Sequence, residues 1–194
     1  MNSLVIWKFF RIVFALCFAF SVGACMKESE TPSRDFALID LLITSKDMPL
    51  GWRIEFPAGK IEDGYYAEET VKIVFVPETG VRRATGQYID RFSSTEVARF
   101  KLHNEFIPVV LNSGEFVPEG WLHPTLSADE DKFVCYWKLV DGDPEKFMLC
   151  EWTARYDEFI VNFVSWVLPD LMSLDKIKDL IVEIDRKIAV QIGE

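Results

Sequence analysis

Two cysteines placed symmetrically about a turn constrain this chain more than any other feature. Residues 132–140 (Lys-Phe-Val-Cys-Tyr-Trp-Lys-Leu-Val) and 146–156 (Lys-Phe-Met-Leu-Cys-Glu-Trp-Thr-Ala-Arg-Tyr) both read as strands. Asp141-Gly142-Asp143-Pro144 between them has turn chemistry. A hairpin centred on Gly142 and Asp143 pairs residues whose numbers add to 285, and Cys135 with Cys150 satisfies that condition. Direct cross-strand neighbours have Cα atoms about 4.5–5.5 Å apart, within disulfide range. The spacing therefore predicts a Cys135–Cys150 disulfide. Pro144 can shift the register, and two buried free thiols are the alternative. A zinc site is a poor fit, because two thiols so spaced have no histidine nearby.

The same strand–turn chemistry extends both ways. Asp157-Glu158 turns the chain into Phe159 to Val167, apolar on both faces and expected to be central in a sheet. Ser173 then caps a helix whose Leu174, Ile177, Ile181, Ile184 and Ile188 form an apolar stripe, read as core packing. Upstream, Asp35 to Ile43 reads as a short helix, and 53–56, 70–76 and 84–91 as strands around a Gly-rich acidic loop at 57–69. Ser93 with Glu96 suggests a capping box for a helix running towards Ile107, where Pro108 stops or bends it. Val97, Phe100, Asn104, Ile107 and Leu111 keep helical spacing. The order helix, strands, helix, strands, helix predicts an α+β fold, an antiparallel sheet with helices packed on one face. Met48-Pro49-Leu50-Gly51-Trp52 is echoed by Val117-Pro118-Glu119-Gly120-Trp121. The echo hints at two similar halves, although common turn chemistry explains it as well.

The N-terminus carries an address. Lys8 and Arg11 precede an apolar run, Ile12 to Phe20, and then Ser21-Val22-Gly23-Ala24. This is the layout of a secretory signal, and the run is short for a permanent span of about 20 residues. Val22-Gly23-Ala24-Cys25 resembles the lipobox of bacterial lipoproteins, with valine where leucine is commoner. The resemblance covers residues 1–25. It implies cleavage before Cys25, lipid on Cys25, and attachment to the extracytoplasmic face of the cell membrane or outer membrane. The chain thus divides into a signal peptide (1–24), a lipidated cysteine with a flexible polar linker (25–35) and one domain (36–194). Cys17 leaves with the signal, so Cys135 and Cys150 are the domain's only cysteines, in an oxidising compartment. Removing residues 1–24 takes away Lys8 and Arg11 and no acid, moving the formal charge from −10 to −12. Such a domain repels nucleic-acid phosphates and anionic lipid alike, leaving the N-terminal lipid as its route to a membrane.

The Asp47-Met48-Pro49-Leu50-Gly51-Trp52 element and the later tryptophan-bearing hairpin are similar to those of bacterial extracytoplasmic sensor or lipoprotein domains, of the kinase-sensor and PsbP-like kinds. This outline likeness over 47–167 implies an α+β sheet and a binding or sensing role, and it carries no catalytic residue. Phosphate-loop, nucleophile-elbow and His-Glu-x-x-His patterns are absent from the sequence. His103 on a helix and His123 in a loop read as exposed or core-edge residues. Asp129-Glu130-Asp131 and Asp141-Gly142-Asp143-Pro144-Glu145 lack the spacing of a calcium loop and read as solvated turns. No catalytic, cofactor-binding or metal-binding residue is assigned. Of the tryptophans, Trp137 and Trp152 share a hairpin face with Phe133, Cys135, Met148 and Cys150 and are expected in the core. Trp52 and Trp121, beside glycine in turns, are the candidates for an exposed binding surface. The leading expectation is a non-enzymatic, lipid-tethered binding or sensing domain whose partner is an envelope protein or an apolar small molecule. The alternative is an envelope hydrolase using scattered carboxylates.

Overall fold

A computed structural model describes residues 34–62, 67–79, 83–107, 114–139 and 146–193, all within the compact unit Thr31–Glu194. The signal segment, Cys25, the linker as far as residue 33, Pro108 to Leu111 and the hairpin turn around Gly142 lie outside the described residues. Six strands, β1 (Trp52–Ile61), β2 (Glu69–Pro77), β3 (Thr85–Arg91), β4 (Glu130–Leu139), β5 (Lys146–Tyr156) and β6 (Phe159–Trp166), form one antiparallel sheet. Its order is β1-β2-β3-β6-β5-β4. Two three-stranded meanders are thus joined through β3 and β6, and the apolar β6 is central. Helix α1 (Thr95–Lys101) continues as a wider π turn over Leu102–Phe106, and α2 spans Leu174–Ile192. The fold is α+β, with sheet predominating.

The main core lies on one face of the sheet. There Val71, Ile73, Phe75, Ile89, Phe159, Val161, Phe163, Trp152, Ala154 and Tyr156 meet Ile177, Leu180, Ile181, Ile184 and Ile188 of α2. Ser173 caps α2 through the Lys176 N–H, and Gly193 ends it in the left-handed conformation at φ +88°. The expectation that all helices share one face needs correction. Helix α1 packs through Ala98, Leu102 and Phe106 on Phe92 and Ile160, a cluster separate from the main core. Ile160 alternates with Phe159 and Val161 along β6, so it points to the opposite face. Helix α1 also buries a different stripe from the one its spacing suggested: Val97 and Phe100 are exposed. Its cap is Ser94, which accepts the Val97 N–H, rather than Ser93. The predicted helix over 35–43 is a single 3-10 turn, Leu38–Leu41.

Buried charge closes one end of the sheet. Glu158, in the β5–β6 turn, has no exposed side-chain surface and receives two bonds from Arg34, from Nε at 3.0 Å and from Nη2 at 3.0 Å. Arg34 Nη2 also reaches Asp157 at 2.9 Å, and these two acids raise the Arg34 pKa against the opposing effect of its burial. The first described residue is therefore clamped to the end of β5 opposite the β4–β5 turn. Arg155 beside it pairs with Asp129 at 2.8 Å and Glu130 at 3.2 Å.

Candidate binding surface on the β4–β5 ribbon

The β4–β5 register follows the sum of 285 over all ten pairs, from Glu130–Arg155 to Leu139–Lys146. Cys135 and Cys150 face each other with Cα atoms 4.0 Å apart and sulfurs at bonding distance, 2.02 Å. Both are buried in the main core. The neighbouring pairing of β5 with β6 stops at Leu149–Trp166, followed by one more bond from the Val167 N–H to the Met148 carbonyl. Beyond that point Lys138 and Leu139 pair only with Phe147 and Lys146. A two-stranded ribbon thus projects past the sheet, with the disulfide at its base. Such a ribbon is marginally stable by itself in water, and the cross-link supplies constraint where β6 no longer does.

Side-chain alternation gives the ribbon two unlike faces. On one, Arg83 lies over the Phe147 ring, 3.2 Å from its centroid, and the Tyr136 hydroxyl donates to Glu151 at 2.5 Å. Burial, with Glu151 assisting, pushes the Tyr136 phenol well above its ordinary range, so it stays a donor. On the other face Trp137 is 56 % exposed and Leu139 59 %. Trp137 stacks at 6.2 Å on Phe116, which is half-buried. Large apolar side chains grouped in this way mark an interaction surface more often than a scattered few do.

The two tryptophans expected at the surface are elsewhere. Trp52 starts β1 and is 7 % exposed, inside the main core. Trp121 is half-buried and stacks face to face on Phe133 at 3.8 Å. Their preceding glycines adopt the left-handed conformation, Gly51 at φ +88° and Gly120 at φ +79°. The turns therefore serve to aim each indole inward. Trp152 is in the core as expected, whereas Trp137, expected beside it, is not. The residues share a face, but Trp137 lies where neither β6 nor α2 covers it.

The acids and histidines also find defined places. His103 Nε2 meets Glu130 at 2.7 Å and His123 Nε2 meets Asp131 at 2.8 Å. Glu130 and Asp131 are adjacent on β4 and point to opposite faces, so the histidines do not share a site. Asp131 also accepts the Trp152 indole N–H at 3.0 Å. Asp129 and Glu130, read from sequence as solvated turns, are instead paired with Arg155. No cluster of three or more metal-ligating side chains occurs among the described residues. Asp90 is the acid with chemistry of its own: it is 1 % exposed, accepts a bond from the Thr70 hydroxyl and is pushed up to about 6 by burial, with no neighbouring carboxylate contributing. Paired acids of the kind glycoside hydrolysis uses are not what raises it. A concavity of about 210 Å³ between Asp47, Met48, Pro49 and α2 is lined by Asp179, Glu183 and Lys176. It is smaller than most ligand pockets, and its charges suit no apolar molecule.

No protein-family model matches the chain, and neither a curated protein nor a solved structure matches it.

Proposed function

We propose that the chain is a lipid-anchored, extracytoplasmic cell-envelope protein whose domain binds a partner without catalysing a reaction, and that the open face of the β4–β5 ribbon is its binding surface. The observation that carries this reading is the exposed Trp137–Leu139 pair, seated beside half-buried Phe116 on a projecting, disulfide-based ribbon. A projection suits a macromolecular partner, since small molecules favour concave sites. An envelope protein is therefore the preferred partner, ahead of an apolar small molecule. A photo-crosslinking residue at position 137 should give a discrete adduct in cells. The same residue at exposed Val190 on α2 should give none. Equal yields at the two positions would remove the ribbon's claim.

The anchor reading rests on Val22-Gly23-Ala24-Cys25 and on the charge of −10. Two or three acyl chains hold a protein on a bilayer durably, and an acidic surface gives no second hold on anionic lipid. Cys25→Ala should move most of the protein from the membrane pellet to the soluble fraction, a change of about tenfold or more on this one- versus two-chain reasoning. Wild-type retention in the pellet would show that something other than Cys25 lipid holds it. As for two similar halves, we keep that reading for strand order only. Each meander ends in a helix, but α1 and α2 lie on opposite faces. A two-fold axis exchanging β3 with β6 would keep them on the same face.

A further inference from the structure

We propose that the open edge of β4 takes up, by strand addition, an extended segment of a partner protein with apolar side chains at alternate positions and a net positive charge. This rests on the ribbon being the binding surface. Phe116 already shows the mode. Its N–H donates to the Cys135 carbonyl at 2.9 Å and its carbonyl accepts the Cys135 N–H at 2.8 Å. The backbone groups of Cys135 therefore point away from β5. Alternation sends those of Trp137 and Leu139 the same way, and no partner for them is found among the described residues.

The sheet's other edge is built differently. Strand β1 breaks register between Ile54 and Phe56 and again between Phe56 and Gly59. It also carries Pro57, with Arg53, Glu55 and Lys60 exposed along it. Bulges, proline and edge charge are the usual means of refusing another strand. Over Cys135 to Leu139, β4 has no register break and no proline, and exposed Lys138 is its one charge. Among the described residues, one edge is closed to pairing and the other is left open beside an apolar surface.

The chemistry of the occupant follows. Trp137 and Leu139 lie two residues apart on one face, which matches the two-residue period of an added strand. The chain's overall charge of −10 attracts a basic segment at long range and repels a second copy of itself, while exposed Lys138 and Lys146 on the ribbon call for an acidic side chain within that segment. The chain's own linker is a poor occupant, because residues 27–33 are polar and include Pro32. Arg34 is moreover held at the far end of β5, about 33 Å from the ribbon at ordinary strand rise.

The test uses the full chain in detergent micelles, panned against a phage-displayed library of random dodecapeptides. Selected peptides should alternate apolar residues and be basic, and their binding should slow exchange of the Trp137 and Leu139 amide hydrogens. Leu139→Pro removes an outward N–H while leaving the β4–β5 bonds intact, so it should weaken binding at least tenfold. Leu139→Ala, which keeps that N–H, should cost under threefold. Trp137→Ala should also weaken binding at least tenfold. If Leu139→Pro and Leu139→Ala behave alike while Trp137→Ala still fails, strand addition is wrong and the surface reading survives. If neither Trp137→Ala nor Leu139→Pro matters, both readings fall. Self-association that Leu139→Pro abolishes would make a second copy the occupant and overturn the proposal, as would a library that yields no binder.

Discussion

Replacing Cys135 and Cys150 together by alanine should lower the unfolding free energy by about 3 kcal/mol, the loop-entropy value for a cross-link closing about fifteen residues. The sequence separation is 15. Both sulfurs sit in the main core, so the space that alanine leaves acts in the same direction. In a domain of this size, that loss corresponds to roughly 6–12 °C in Tm. The loss should also be uneven. The ribbon beyond β6 has no third strand beside it, so amide protection at Tyr136, Lys138 and Phe147, whose N–H groups face across the ribbon, should fall before that of β3 or β6. Urea titration and hydrogen exchange check the two halves of this expectation. A loss under about 1 kcal/mol, well below the range for native cross-links, would mean that the ribbon is held by its packing alone. The wild-type chain, denatured without reductant, should show no free thiol from either cysteine.

The fold was most legible where local chemistry and tertiary packing agree. The turn at 141–144 and the two cysteines specify the β4–β5 register without help from the rest of the chain, and the observed pairs follow it. The α2 stripe was equally plain because the whole stripe faces one core. Helix α1 was less so: it spans one end of the sheet, and which stripe it buries is set by Phe92 and Ile160, far from its own spacing. The candidate surface was misplaced for a related reason. Glycine beside Trp52 and Trp121 signals a turn, but not whether the indole emerges from it or turns inward. Trp137 was assigned to the core by its face, and face alone does not decide burial. The missing signal was strand length. Pairs of β5 with β6 add to 315, so Pro169 falls opposite Lys146, and a β6 that ends before Pro169 leaves the tip of β5 uncovered. The two registers and one proline, taken together, would have located the overhang.

Asp90→Asn should abolish a fall in stability that the wild-type chain shows as pH rises from about 4 to about 6. Asp90 lies on β3, 1 % exposed, with the Thr70 hydroxyl as its recorded hydrogen-bond donor. Burial disfavours the carboxylate and pushes its pKa up to about 6, while the Thr70 bond opposes this only in part. In the unfolded chain the group titrates near 3.9. Between those values the native state holds a proton that the unfolded state has lost. Stability from this group is then fully present below about pH 4 and is lost as pH rises through about 6. Two pKa units correspond to about 3 kcal/mol. Asp47, Glu130 and Glu183 have lowered pKa values. Their contributions are present above their unfolded values near 4 and are lost on acidification, so they act in a separate window. The readout is the slope rather than the absolute stability, because the asparagine amide must itself find a buried partner. Denaturant titrations at pH 4.5, 5.5 and 7 should show wild type losing about 2 kcal/mol relative to Asp90→Asn. Parallel curves would place the Asp90 pKa near its ordinary value and its carboxylate in contact with water or a cation. If the slope is found, proton uptake near pH 6 by a carboxyl on the sheet face beneath α1 favours the native state.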